Sequence, residues 1–195
     1  FPPNFTRLIK AVEESLKKLK TDHIDLLLLH WPSDDETNKR GIDYLNEAIK
    51  KGYTKSIGVS NFNLDQLFKA VAMAPVICNQ VEYHPYISQQ KILTYLRKQN
   101  MLLMAYSPLA KGKVFKDAIL QELAIKYKRT TSQVVLRWLI QQGDIAVIPK
   151  ASSPERIKEN LNIFDFALSD EDMNVIFNLS DDHRITNPAW APKWD

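Results

Sequence analysis

Short apolar runs alternate with longer amphipathic stretches along the chain, and this alternation constrains the fold more than any other feature. Asp25-Leu-Leu-Leu-Leu-His30 is nearly continuous in apolar character, and Ser56–Ser60, Val76–Val81, Met101–Ala105 and Ile145–Ile148 repeat the pattern. Unbroken runs of this length are expected of strands buried on both faces, which is how parallel sheets are built. Between them apolar residues recur at helical spacing: Leu8, Ile9, Val12, Leu16 and Leu19 in one stretch, Ile42, Leu45 and Ile49 in the next. Gly52 is placed to end that second helix. Asn63 with Gln66 has the form of a capping box for a helix holding Leu64, Leu67 and Phe68. Ser88 is placed to cap a helix with Ile92, Leu93 and Leu96. Two more helices are predicted near residues 116–128 and 131–142, the second opened by Thr131 and closed by Gly143, and Ser153-Pro154 starts another.

Parallel strands separated by helices leave two architectures, an open doubly wound sheet or a closed barrel. An open nucleotide-binding sheet calls for Gly-x-Gly-x-x-Gly after its first strand; the sequence has five glycines, none so arranged. A barrel carries its functional residues at the C-terminal ends of successive strands. Here those ends read His30-Trp31, Ser60-Asn61, Glu82-Tyr83-His84, Tyr106-Ser107 and Lys150. This polar ring favours an α/β fold of the (β/α)8 TIM-barrel type. A complete barrel takes about 250 residues, whereas this sequence of 195 residues carries five predicted strands and opens on a helix. The expectation is an incomplete barrel, with residues 1–195 forming the C-terminal part of a single domain and about three strand–helix units lying outside the sequence.

Composition excludes several classes of function. Net charge is only +3 and no Lys/Arg block stands out, so a nucleic-acid partner is not expected. Cys78 is the single cysteine, which rules out an intramolecular disulfide or a thiolate cluster and points to a reduced, cytoplasmic protein with Cys78 as a small buried hydrophobe. The opening Phe1-Pro2-Pro3-Asn4 does not read as a signal peptide, and the Ile24–Leu29 run is too short to cross a bilayer.

The sharpest local signal is Ser153-Pro154. Serine at a helix N-cap with proline at the first helical position leaves free N–H groups facing whatever precedes the helix, a ready anion site. Lys150 lies just before it, and Arg156 lies in the first turn, where a cation normally opposes the helix dipole; a phosphate between them would explain the arrangement. His30 ends a buried strand at a position where barrels carry function. No second ligand stands at metal-binding spacing from His30, and a metal site is not expected. Asp25 and Glu82 are candidate carboxylates of a barrel hydrolase, although Asp25 starts its strand and Glu82 ends its own.

Five blocks taken together resemble the aldo-keto reductase family. They are Asp25-Leu-Leu-Leu-Leu-His30-Trp-Pro, Lys55-Ser-Ile-Gly-Val-Ser-Asn-Phe62, Asn79-Gln-Val-Glu-Tyr-His-Pro-Tyr86, Ala105-Tyr-Ser-Pro-Leu109, and Ile148-Pro-Lys150 with Pro154-Glu-Arg-Ile-Lys-Glu-Asn160. Ala191-Pro-Lys-Trp-Asp195 is similar to the ending of bacterial 2,5-diketo-gluconate reductases. The resemblance implies reduction of an aldehyde or ketone by NADPH, with a sugar-derived ketoacid or small dicarbonyl as substrate; a monomer is expected for the complete protein. It implies His30 as the catalytic histidine and Trp31 as a substrate-pocket residue. Ser60, Asn61 and Gln80 would hold the nicotinamide carboxamide, and Tyr106 would stack on its ring. Ser107 and Leu109 would run along the pyrophosphate. Lys150, Ser153 and Arg156 would grip the 2′-phosphate, and Glu159 and Asn160 the adenine. Ala151 stands where the family commonly has serine, which implies weaker discrimination between NADPH and NADH. The family's catalytic Asp, Tyr and Lys have no counterpart in the sequence, so residues 1–195 alone are expected to be inactive. The rival readings are a non-catalytic nicotinamide-binding barrel module and a hydrolase that uses Glu82.

Overall fold

The computed structural model describes residues 5–195; the Phe1–Asn4 stretch lies outside them. Two compact units divide the chain. One comprises Phe1–Gln80, Thr94–Met101 and Ala189–Asp195, the other Val81–Leu93 and Leu102–Pro188.

The first unit is a strand–helix repeat. Helix α1 (Phe5–Leu19) turns Val12 and Leu16 into the core, while Leu19, expected on the same stripe, is 64% exposed. Strand β1 (Ile24–Leu29) pairs in parallel with β2 (Thr54–Ser60), from Ile24 opposite Thr54 to Leu29 opposite Val59. Helix α2 (Asp35–Lys50) lies between them in sequence, capped by Asp34, whose carboxylate accepts from the Thr37 N–H at 2.9 Å. It buries Ile42, Leu45 and Ala48 and ends as expected at Gly52, which has φ of 73° and donates to the Ile49 carbonyl at 2.8 Å. Strand β3 (Val76–Glu82) follows helix α3 (Leu64–Met73) and aligns Ser60 with Gln80. The capping box of α3 forms as the sequence predicts, between Asn63 and Gln66. Gly58 is required by close packing: a Cβ there would meet Cys78 Sγ at 2.5 Å and Leu28 Cδ2 at 2.6 Å. Cys78 itself is buried, which pushes its thiol up to about 12 and leaves it a neutral hydrophobe.

One expectation fails here. Strand β1 is half-buried along most of its length and not sealed on both faces. Within the unit it pairs on one side only, with β2.

In the second unit β4 (Leu102–Tyr106) and β5 (Ile145–Val147) pair in parallel, Leu103 opposite Ile145 and Ala105 opposite Val147. Helix α6 (Thr131–Gln141) supplies most of the core. Val134, Val135, Leu136 and Leu139 are buried, and Trp138 packs edge-on between Tyr83 at 5.4 Å and Phe177 at 5.2 Å. Its cap is Thr130, one residue earlier than expected, because Gln133 closes a reciprocal box with Thr130. The predicted 116–128 helix is shorter: a 3₁₀ stretch (Ala110–Lys116) precedes α5 (Ala118–Tyr127), which starts at the Asp117 cap and ends at left-handed Lys128. Helix α4 (Gln90–Lys98), which runs from this unit into the first, and α7 (Pro154–Leu161) lie where expected. Helix α8 (Asp170–Phe177) was not foreseen; Ser169 caps it, and Asp172 in its first turn is bonded to Lys126 and Tyr127.

No helix among the described residues is long and apolar enough to cross a membrane.

Candidate functional site

Three strand ends meet in the first unit. His30 follows β1 and is exposed, with Trp31 beside it at 6.4 Å between ring centroids. The His30 carbonyl accepts from Asn61 Nδ2 at 3.0 Å, and the same amide donates to Ser60 Oγ at 3.0 Å. Ser60 Oγ in turn donates to the Gln80 carbonyl at 2.9 Å, which also accepts from the Asn61 N–H at 2.8 Å. Asn61 has φ of 63°, a left-handed conformation that asparagine tolerates better than most residues. Ser60 and Asn61 are each 1% exposed, and these bonds tie β1, β2 and β3 together just beneath His30. Gln80 is half-buried.

In the second unit the chain after β4 turns sharply. Ser107, Ala110 and Lys111 have φ between 47° and 49°, and Gly112 has 95°. This bend forms one side of a cavity of about 800 Å³, with Ser107, Leu109, Lys111, Gly112 and Phe115 among its lining residues. The other side comes from the end of β5 and from α7: Lys150, Ala151, Arg156, Glu159 and Asn160. Lys111, Lys150 and Arg156 thus converge on one space. Glu159, the only carboxylate among the described residues that line it, accepts from the Thr130 hydroxyl at 2.7 Å, and its carbonyl accepts from Gln133. Ser153 is placed differently from expectation. It caps α7 by accepting from the Arg156 N–H at 3.3 Å, but it does not line the cavity. The first turn of α7 also holds Glu155, whose carboxyl is kept below its usual range by hydrogen bonds to its own N–H and to Ser153. Lys111 and Phe115 went unnoticed in the sequence; the signal for Lys111 was the Lys111, Lys113, Lys116 spacing that begins five residues after β4 ends.

Tyr106, at the end of β4, is half-buried. Burial, with the Glu82 charge adding, pushes its phenol up to about 12 against the opposing effects of Arg184 and Thr186. Glu82 has no exposed surface. Its two carboxylate oxygens accept from the Ile185 and Thr186 N–H groups at 2.7 Å each, and Oε1 also meets His84 Nε2 at 2.9 Å. Burial works against its ionisation, but these bonds prevail and hold it below the usual glutamate range. His84 Nδ1 accepts from the Tyr86 N–H at 3.3 Å, which leaves Nε2 as the donor to Glu82. A carboxylate so enclosed anchors the 185–186 segment and offers nothing to a glycoside, and Asp25 is an exposed residue paired with Lys55. The hydrolase reading is therefore set aside. Among the described residues no group of three or more His, Cys, Asp or Glu side chains is placed to hold a metal ion.

Comparison with known proteins places these features. A family model described as "Aldo/keto reductase family" matches residues 5–181. Glyoxal reductase of Bacillus subtilis (strain 168) is 40% identical over 180 residues, which cover 91% of this chain and 64% of the relative. Methylglyoxal reductase DkgB of Escherichia coli O157:H7 is 35% identical over 195 residues, covering 97% of this chain and 73% of the relative. A crystal structure of a putative 2,5-diketo-D-gluconic acid reductase B superposes with a TM-score of 0.92 at 44% identity, covering 98% of this chain and 69% of that one. A mutant of Gox0644 in complex with NADPH gives 0.87 at 35% identity, covering 95% and 70%. The chain thus spans less than two-thirds of the Bacillus relative, and its strands and helices are those of an incomplete (β/α)8 barrel.

Proposed function

Because the chain belongs to the aldo/keto reductase family, we propose that this protein reduces aldehydes or ketones with NADPH, small dicarbonyls or 2,5-diketo-gluconate being the candidate substrates. The observation that carries the reading is the cavity of about 800 Å³ into which Lys111, Lys150 and Arg156 converge while its one carboxylate is engaged by Thr130. Three cations around one cavity, two of them beside the start of an N-capped helix, suit a multiply charged phosphate ligand. A nicotinamide cofactor fits this donor set, and it supplies a hydride when bound.

The chain's own residues take the binding and orienting roles. Lys150 and Arg156 hold the 2′-phosphate, with Ser153 capping the α7 turn from which Arg156 extends. Asn160 and Glu159 flank the adenine. Ser107 and Leu109 follow the pyrophosphate along the left-handed bend. Tyr106, neutral at any working pH because its phenol is pushed up to about 12, offers an uncharged ring face to the nicotinamide. Ser60, Asn61 and Gln80 hold the carboxamide from a backbone already locked by their cross-strand bonds. His30 points a ring nitrogen at the carbonyl oxygen of the substrate and stabilises charge as it develops there. Trp31 flanks the substrate. Delivery of the proton is assigned to no residue of this chain.

The experiment is carbonyl-dependent oxidation of NADPH by the protein at its natural full length, with glyoxal, methylglyoxal and 2,5-diketo-gluconate as substrates. Oxidation that falls about a hundredfold in His30→Ala, with NADPH affinity unchanged, supports the reading. Tight NADPH binding without oxidation by any carbonyl makes the protein a non-catalytic nicotinamide-binding module. Absence of NADPH binding removes both.

A further inference from the structure

The segment Ala189–Asp195 has no helix or strand, yet it carries two of the four tryptophans of the sequence to a defined place. Trp190 meets Trp31 edge-on at 4.8 Å and 78°, and Trp194 meets it at 6.2 Å and 61°. Burial does not explain this order, because Trp190 remains 63% exposed. Irregular backbone holds a single position only where specific bonds tie it down.

Those bonds lie at the start of α3. The Asp195 carboxylate accepts from the Leu64 N–H through both oxygens, at 3.0 and 3.2 Å, where a helix N-terminus favours negative charge. Asn63, the N-cap of α3, acts in two directions. Its Oδ1 accepts from the Gln66 N–H at 2.9 Å inside the capping box, and its Nδ2 donates to the Lys193 carbonyl at 2.9 Å. Residue 193 is therefore fastened from one side and residue 195 from the other, with Trp194 held between them.

We propose that Asp195 and Asn63 are specificity-determining positioning residues: they fix residues 190–194 so that Trp190 and Trp194 pack against Trp31, beside His30, and complete an apolar wall for the carbon skeleton of the carbonyl substrate. The proposal rests on the reductase reading for its substrate and on the anchor geometry for its structural half. A wall of three indoles rewards a carbonyl compound with a flat apolar flank, and it gives little to a substrate of two carbons. Phenylglyoxal and glyoxal share the reacting group and differ in that flank.

The test uses the protein at its natural full length with NADPH and compares Asp195→Ala and Asn63→Asp. Aspartate at position 63 retains the N-cap of α3 but removes the donor to Lys193, so helix and anchor are separated. The first readout is the exciton couplet in circular dichroism from the Trp31–Trp190 pair, assigned by its loss in Trp190→Phe. The second is KM for phenylglyoxal and for glyoxal. The expected result is a weakened couplet in both variants and a phenylglyoxal KM raised about three- to tenfold, with glyoxal KM and NADPH affinity near wild type. An unchanged couplet together with an unchanged phenylglyoxal KM overturns the proposal. A weakened couplet with equal effects on both substrates overturns the specificity role and leaves the anchor structural. If wild type oxidises NADPH with neither compound, the reductase reading fails, and the couplet still decides the anchor.

Discussion

The polar side chains at the strand ends fall into two populations. Ser60, Asn61 and Glu82 are buried, and each bonds backbone groups from other parts of the chain. Lys111, Lys150 and Arg156 line an open cavity, and among the described residues none of them forms an ion pair. Lys126 and Lys69, by comparison, are held by carboxylates, the first by Asp172 and the second by Asp35 and Asp65. The contrast separates residues that hold the strand ends together from residues whose charge faces an open cavity. It yields a rule that substitution can break: the first population controls stability, the second controls affinity.

Glu82 gives the largest expected effect. Glu82→Ala leaves the Ile185 and Thr186 N–H groups and His84 Nε2 without their acceptor in a buried place, and it is expected to cost about 3–5 kcal/mol in denaturant unfolding. A loss under about 1 kcal/mol would move Glu82 out of the structural population. The same group sets a pH dependence. Its pKa is lower in the folded state than in the unfolded chain, so its contribution is complete above the ordinary glutamate value. The contribution then declines as pH falls through that value and is gone below the folded pKa. Glu82→Gln should flatten this part of the acid limb of the stability profile, leaving what Asp172, lowered in the same direction, supplies.

Asn61 comes next. Asn61→Ala removes the bonds to the His30 carbonyl and Ser60 Oγ and puts alanine at φ of 63°, for an expected loss of about 2–3 kcal/mol. Asn61→Gly removes the same bonds but accepts the left-handed backbone, so it should lose about 1 kcal/mol less. Equal losses would mean that the strand-end clamp matters and the backbone conformation does not.

These two residues show how much the sequence disclosed. The strand–helix alternation, the α3 capping box, the Gly52 stop and the cations Lys150 and Arg156 were legible because each depends on neighbours within a few residues. Glu82 was misread as a possible catalytic acid because its partners lie 103 and 104 residues away. Strand β1 reads as fully buried from composition alone, but its burial depends on what packs beside it, and composition carries no such information. Lys111 was missed for a related reason. Its place in the cavity comes from a bend in which Ala110 and Lys111 adopt left-handed backbone before Gly112, so the one glycine marks only the end of the turn.

The cavity population should respond in the opposite way. Arg156→Ala should leave stability within about 0.5 kcal/mol of wild type, as for an exposed surface substitution. Its NADPH dissociation constant should rise about tenfold, with little change for NADH. Equal weakening of both cofactors would remove Arg156 from the 2′-phosphate, and a large loss of stability would place it in the first population.

Lys111 is the smallest effect and the finest test of the comparison. It sits on the bend with Ser107 and Leu109, a different segment of the lining from Lys150 and Arg156, so the charge there is expected to meet what both cofactors share and not the phosphate that distinguishes them. Lys111→Ala should therefore weaken NADPH and NADH alike, by about two- to threefold, since one exposed charge in solvent contributes less than about 1 kcal/mol. The difference from wild type should shrink as salt is raised, because an exposed pair is screened. Weakening confined to NADPH would instead put Lys111 with Lys150 and Arg156 on the 2′-phosphate. In that case the bend after β4 would share in choosing the cofactor, and the missing serine at Ala151 would have found its substitute there.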